Sequence, residues 1–211
     1  MTSPATPQRR YGGKSADERT AERRAKLLSA ALDVIVAKGA EAITVTGVCT
    51  SAGLSERYFY ESFSDRNALL DALFDEISRQ GAQAVLAATA LPDRDRRERA
   101  RALVAGLADI LLQDPRLGDM GLRSRTDEAV MRGRSATAHH IAAAIEEHAD
   151  RFWAVRGADP ARVRARAVGA IGGIADMFVA WQADSGLSQP QLIEEATDFF
   201  VAAGTGLAAR R

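Results

Sequence analysis

A single cysteine, Cys49, is all the thiol that this 211-residue chain carries. No disulfide can form within it, and a reducing cytoplasm suits it. Histidines are scarce, at three. His139 and His140 are adjacent, so on a helix they would point about 100° apart, and His148 would stand about 12 Å further along the axis. That is not ligand spacing, and no metal is expected. The chain lacks G-x-S-x-G and G-x-x-x-x-G-K-[ST], and its Gly169, Gly172 and Gly173 fall inside a helical pattern instead of after a strand. No catalytic residue and no cofactor are expected, and with them no enzyme. No apolar run approaches the roughly 18 residues of a membrane span. The basic residues near the N-terminus are not followed by the apolar core of a secretory signal. Net charge is also absent, with 28 Lys and Arg against 28 Asp and Glu. Any affinity for a polyanion must come from positive charge gathered in one place.

What is present is an ordinary soluble composition, 46% apolar and 27% charged, arranged almost throughout at helical spacing. No strand-like alternation and no fixed repeat interrupt it, so the expected fold is all-α, with about nine helices. The length admits a small module plus a larger domain. Pro4, Pro7, Gly12 and Gly13 mark residues 1–15 as an arm that is disordered without a partner. Ahead of Leu27, seven basic residues (Arg9, Arg10, Lys14, Arg19, Arg23, Arg24, Lys26) outnumber Asp17, Glu18 and Glu22. Such an arm is either a solvated tail or a means of attracting phosphate and reaching a minor groove. A first helix follows over residues 16–38, with Leu27, Leu28, Ala31, Leu32, Ile35 and Val36 inward and Gly39 ending it.

The rest of the chain is organised around residues 44–70. Val45, Val48, Cys49 and Ala52 form one apolar stripe, with Thr44 as N-cap and Gly53 where a helix exit takes the left-handed conformation. Leu54 turns inward and Ser55 stands at a second N-cap. Glu56 to Phe63 is then a short helix with Phe59 and Phe63 on its buried side, leaving Arg57, Tyr58, Glu61 and Ser62 outward. This is a helix-turn-helix pattern, which an ordinary helical hairpin can also show. An arginine and two tyrosines on a face that a packed hairpin would keep plain favour the DNA-binding reading.

L-S-E-R-Y-F-Y-E-S-F-S-D-R-N-A-L-L resembles the recognition helix and following turn of the TetR family of bacterial transcription regulators. The resemblance extends upstream through A-E-R-R-A-K-L-L-S-A-A-L-D-V-I-V-A-K-G-A-E-A-I-T-V and covers about the first third of the chain. It implies a three-helix DNA-binding domain at residues 16–64 and a helical effector-binding and dimerisation domain at 65–211. It also implies site residues. Thr44 and Thr46 would meet phosphate at a helix N-terminus, with Ser55 counted beside them. Arg57 and Tyr58 would face base edges, Arg57 toward a guanine. Tyr60 would touch the DNA backbone, and Arg66 stands where the family has a phosphate-binding lysine. Glu61 and Ser62 depart from the family pattern of aromatic, histidine or basic residues. Glu61 either accepts from a cytosine amino group or repels phosphate. Cys49 reads as a buried small apolar residue.

Beyond residue 91 the helices continue at residues 94–113, 126–155, 160–184 and from about 188, with a short irregular piece of one helical turn or two at 114–124. Asp159 and Pro160 start one of them, and Ser188 with Gln191 makes a capping box for the last. An effector pocket among these helices would draw on Met120, Phe152, Trp153, Met177, Phe178 and Trp181, residues that ordinary core packing would also bury. Leu122, Arg123, Arg125, His139 and Asp176 are further candidates. The effector would be an apolar or amphipathic small molecule. The helix at 160–184 is apolar around most of its girth, so it is either a central core helix or a dimer face. The resemblance favours a homodimer through the last two helices. The partners expected are therefore double-stranded DNA, a small-molecule effector and a second copy, with no membrane.

Overall fold

The computed structural model describes residues 15–123, 126–155, 157–183 and 186–207. The basic arm, apart from Ser15, and Arg125 lie outside the described residues. Among those described, regular structure is helical throughout, ten α-helices and one 3-10 turn. No described helix is long and apolar enough to cross a membrane.

Helix α1 (Ala16–Lys38) opens on a capping box, with Ser15 accepting from the Glu18 amide, and closes at Gly39, whose φ of 88° bars most side chains. After the 3-10 turn Ala40–Ala42 come α2 (Val45–Ala52) and α3 (Glu56–Ser62). Thr44 caps α2 through a 3.0 Å bond from the Gly47 amide. Gly53 takes φ 63° and ψ 35°. A Cβ there would meet nothing within 4 Å, so the backbone angle, not space, calls for glycine. Leu27, Ile35, Ile43, Val48, Phe59 and Phe63 pack into the core of this head.

The next helix, α4 (Arg66–Ala90), is one unbroken rod of 25 residues. Its first half, Leu69, Leu70, Leu73 and Phe74, completes the head core. Its second half, through Val85 and Ala88, belongs to a separate apolar cluster. That cluster is built with α5 (Arg96–Gln113), α7 (Glu128–Glu147), α8 (Ala149–Trp153), α9 (Pro160–Ala183) and α10 (Gln189–Ala203). The short segment expected to hold one helical turn or two contains a two-turn helix, α6 (Arg116–Arg123). The long helix expected at 126–155 is two, α7 and α8, because the backbone bends at His148 (φ −123°, ψ 22°). Asp159 and Pro160 start α9 as anticipated, the Ala161 amide donating to the Asp159 carboxylate at 2.9 Å. The Ser188 amide donates to Gln191 Oε1 at the head of α10.

Two polar anchors hold the larger cluster. Arg99 is buried and donates from one Nη to the carbonyls of Ala88, Thr89 and Leu91, satisfying the open C-terminus of α4. Trp153 Nε1 donates to the Phe200 carbonyl at 2.9 Å, tying α8 to α10.

Helices α4 and α7 approach closely by exchanging glycines. A Cβ at Gly81 of α4 would stand 2.3 Å from Ile141 of α7, and one at Gly133 of α7 would stand 2.0 Å from the Phe74 ring of α4. Phe74 is buried and the clash reaches back to its Cγ, so the whole ring would have to shift toward the cavity and give up packing. Gly133→Ala should therefore destabilise by a net ~1–2 kcal/mol, overpacking outweighing the helix-propensity gain of about 1 kcal/mol. Urea unfolding measures it, and a stabilised variant would show that the two helices do not touch in this way.

Candidate nucleic-acid interface and interhelical cavity

Helix α3 is placed by its aromatic underside. Phe59 is fully buried and packs on Phe63, with ring centroids 5.6 Å apart. That fixes the opposite face outward. The Arg57 side chain is 84% exposed, and Tyr58 and Tyr60 are exposed as well. Ser55 is exposed at the N-cap position and its hydroxyl makes no capping bond. Thr44 and Thr46 are exposed at the start of α2. The Thr44 hydroxyl is already engaged as N-cap, and that of Thr46 donates to Glu56 at 2.6 Å, linking α2 to α3. Six of the seven expected DNA contacts thus lie on the exposed surface of the two short helices and their N-caps. Cys49 is buried beneath them, its thiol pushed up first by burial and then by the Glu56 carboxylate, so it is no ready thiolate.

Arg66 stands at the start of α4, as expected, with its guanidinium partly buried against protein groups. Its guanidinium donates to Asp127 Oδ2 at 2.7 Å and to the Ala40 carbonyl at 2.8 Å. The cause is position: Asp127 is the N-cap of α7 and its carboxylate is the nearest anion. Sequence spacing gave no hint of a partner 61 residues away. Burial raises the Asp127 carboxyl, but the Val130 amide, Arg66 and the Ala129 amide outweigh it and leave the group below its ordinary value.

A network missed in the sequence joins α1 to α3. Glu61 accepts from Arg57 Nε at 3.1 Å and stands 3.6 Å from Arg23 of α1. The Arg23 guanidinium lies 4.5 Å from the centre of the Tyr58 ring. An i,i+4 spacing of Arg57 and Glu61 was the available signal.

The effector candidates divide. An apolar cavity of about 290 Å³ lies between α4, α5, α6, α7 and α9, and Met120 lines it with Phe74, Ile77, Leu111, Leu117, Ile171 and Val179. Phe178 lines an adjoining hollow of about 80 Å³. Phe152 and Trp153 line neither; they are core, stacked against Phe200. Met177 and Trp181 also line neither, and Trp181 Nε1 is bonded to the Leu187 carbonyl. Phe152 and Trp153 are thus spent on close packing, whereas Met177 and Trp181 are only half-buried. Asp176 does reach the cavity wall, paired with Arg134 at 2.5 Å. His139 lies instead in an open groove with Glu146 and Arg164. The side chains of Leu122 and Arg123 lie outside the described residues. Among those described, no group of three His, Cys, Asp or Glu could hold a metal ion.

Helix α6 faces two ways. Leu117 and Met120 line the cavity, while Arg116 donates to Ser29 and to Asp33 Oδ1 of α1, the latter at 2.6 Å. Asp114 holds the same guanidinium from behind, and with Asp33 it raises the arginine further.

Residues 27–73, the head and the first turns of α4, match the model of the tetR family of bacterial regulatory proteins. Over that stretch the chain is similar to the DNA-binding part of that family. Over 88 residues it is 36% identical to the HTH-type transcriptional regulator BetI of Klebsiella pneumoniae (strain 342), a match spanning 41% of this chain and 45% of BetI. The chain thus spans less than half the length of that relative. Solved structures share the fold at low identity. One is assigned to the TetR-family transcriptional regulators of Syntrophomonas wolfei, with TM-score 0.73, 16% identity, and coverage of 90% of this chain and 99% of that one. Another is the transcriptional regulator FadR of Bacillus subtilis in complex with stearoyl-CoA, with TM-score 0.59, 17% identity, and coverage of 85% and 98%.

The joint between the head and α7 yields a pH-dependent expectation. Asp127→Asn keeps a capping oxygen but removes the charge facing Arg66, and should cost about 1–3 kcal/mol near pH 7. Because the folded carboxyl sits below its unfolded value of about 3.9, that contribution is full above this value and is lost as the pH falls through the folded one. Urea titrations of both proteins near pH 7 and near pH 3 should show the difference shrink. A difference independent of pH would mean that the charge is not what stabilises.

Proposed function

We propose that this chain is a DNA-binding transcriptional regulator of the TetR family, a homodimeric repressor that an apolar or amphipathic small molecule releases from a two-fold symmetric operator. The observation that carries the reading is the face of α3, where Arg57, Tyr58 and Tyr60 are held outward by the buried Phe59. Such a helix fits a major groove, with Arg57 toward a guanine and the α2 N-terminus against phosphate.

The dimer reading is supported by α9 and α10. Gly169 is exposed and a Cβ there would meet nothing within 4 Å, so α9 is bare of cover at that point. Beside it Phe199 of α10, whose ring lies against Gly173, is exposed. A second copy packing α9 and α10 against their symmetry mates would cover both. Two heads related by a two-fold axis then read a palindrome.

The effector reading rests on the cavity. Its volume is at the small end of the roughly 300–1,000 Å³ typical of ligand sites, and its wall is apolar but for the Arg134–Asp176 pair and two hydroxyls. It would take a small apolar molecule or the apolar part of a larger amphipathic one, as the stearoyl-CoA bound to FadR of Bacillus subtilis is amphipathic. Filling it would act on Leu117 and Met120 of α6, and Arg116 would carry the shift to α1. DNA affinity would fall by as much as the ligand prefers the shifted state.

Selection of random duplex DNA by the purified protein should enrich a two-fold symmetric sequence. On that sequence Arg57→Ala should cost about 1–3 kcal/mol and relax one base position in each half. An unchanged preference would exclude direct readout by Arg57, and no enrichment at all would exclude the regulator. Phe199→Arg should give monomers in sedimentation and lose the palindrome; a dimer that survives it would place the interface elsewhere.

A further inference from the structure

We propose that Glu61 sets the specificity of the recognition helix by opposing contact with phosphate alone. The proposal rests on α3 binding duplex DNA, as argued above. Glu61 stands where α1 and α3 meet, half-exposed, with Arg57 at 3.1 Å and Arg23 at 3.6 Å. One carboxylate therefore faces Arg57 of the outward surface and Arg23 of α1, and that arginine in turn covers the Tyr58 ring. Its worth to stability is small, since exposed pairs contribute little.

Its worth to binding is of another kind. A random duplex offers α3 chiefly phosphates. To meet them, Arg57 and Arg23 must leave or share Glu61, and the carboxylate itself is brought toward a polyanion. Both effects oppose association with any sequence. A cognate site repays them with groups a phosphate cannot supply, a guanine edge for Arg57 or a cytosine amino donor for Glu61. The carboxylate thus weakens the wrong complexes more than the right one, and a difference of affinities is what specificity is. A net charge of zero fits this arrangement, because the protein has no overall positive field to overcome.

The test uses full-length wild type, Glu61→Gln and Glu61→Asp, with the duplex recovered by selection and a random duplex of equal length, over a salt series. Circular dichroism confirms folding of each. Glu61→Gln should bind the random duplex about 5- to 30-fold more tightly near 0.15 M salt, the release of one or two further counterions. Its slope of log K against log salt should steepen by about 0.9–1.8. The selected duplex should gain less, so that the ratio of the two affinities falls. Glu61→Asp, which keeps the charge, should stay near wild type. Equal random-duplex affinity and slope for wild type and Glu61→Gln, with wild type still discriminating, would overturn the proposal and leave the DNA reading intact. Loss of affinity for both duplexes in Glu61→Gln would also overturn it, making Glu61 a support for the helix. A wild type that discriminates nothing would remove the DNA reading itself, and that arm needs no variant.

Discussion

The continuity of α4 is the constraint on which the rest depends. One helix of 25 residues supplies Leu69, Leu70, Leu73 and Phe74 to the head core and Val85 and Ala88 to the other cluster. A helix is stiff over this length, so the two cores cannot shift independently without bending it or repacking one end. Phe74 occupies the point of conflict. It closes the head core, lines the cavity and fills the hollow left by Gly133. Anything that alters the cavity wall is therefore felt at the base of the head through the same side chain. Dividing the chain between residues 64 and 65 follows the turn but not the packing, since the head core is incomplete without the first turns of α4 and without Met120, Ala129 and Val130.

Charged side chains at this joint do what apolar contacts do poorly, which is to hold two surfaces in one register while leaving another within reach. Arg66 joins the head to the N-cap of α7, and Arg116 joins α6 to α1. Both pairs are partly exposed, so the desolvation cost that makes fully buried pairs poor stabilisers is moderate here. Breaking either would leave a guanidinium that solvent can reach. That suits a joint with two arrangements better than a dry, close-packed seam, which has one good fit and many bad ones.

Local chemistry made much of this legible in the sequence. The bounds of α1, the caps at Thr44, Asp159 and Ser188, the left-handed Gly53 and the buried Phe59 and Phe63 follow from residues a few positions apart. What escaped depends on partners far along the chain. Arg99 reads as one more basic residue on a polar helix face until the C-terminus of α4 is placed beside it. Arg66 matched a position and not an environment, and the environment supplied Asp127. The cavity escaped for a related reason. A hollow is lined where packing is incomplete, and Leu117, Ile171 and Val179 are no different in sequence from neighbours that pack solidly. Trp153 and Phe152, which could equally have lined a pocket or filled the core, pack against Phe200.

The balance of charge completes the physical picture. With equal numbers of acidic and basic residues, the chain has no global field to draw it onto nucleic acid. What it has is a short helix whose outward arginine is tethered to a carboxylate on the same face, and that carboxylate to the first helix. A surface of this kind gains little from a bare phosphate lattice, because each new ion pair is made at the expense of an old one. It gains most from directional hydrogen bonds, which depend on the base edge and survive salt better than ion pairs with phosphate. In the regulator proposed above, low global charge and an internally paired α3 would thus push in the same direction, toward binding that is slower to find DNA but stricter about which DNA it keeps.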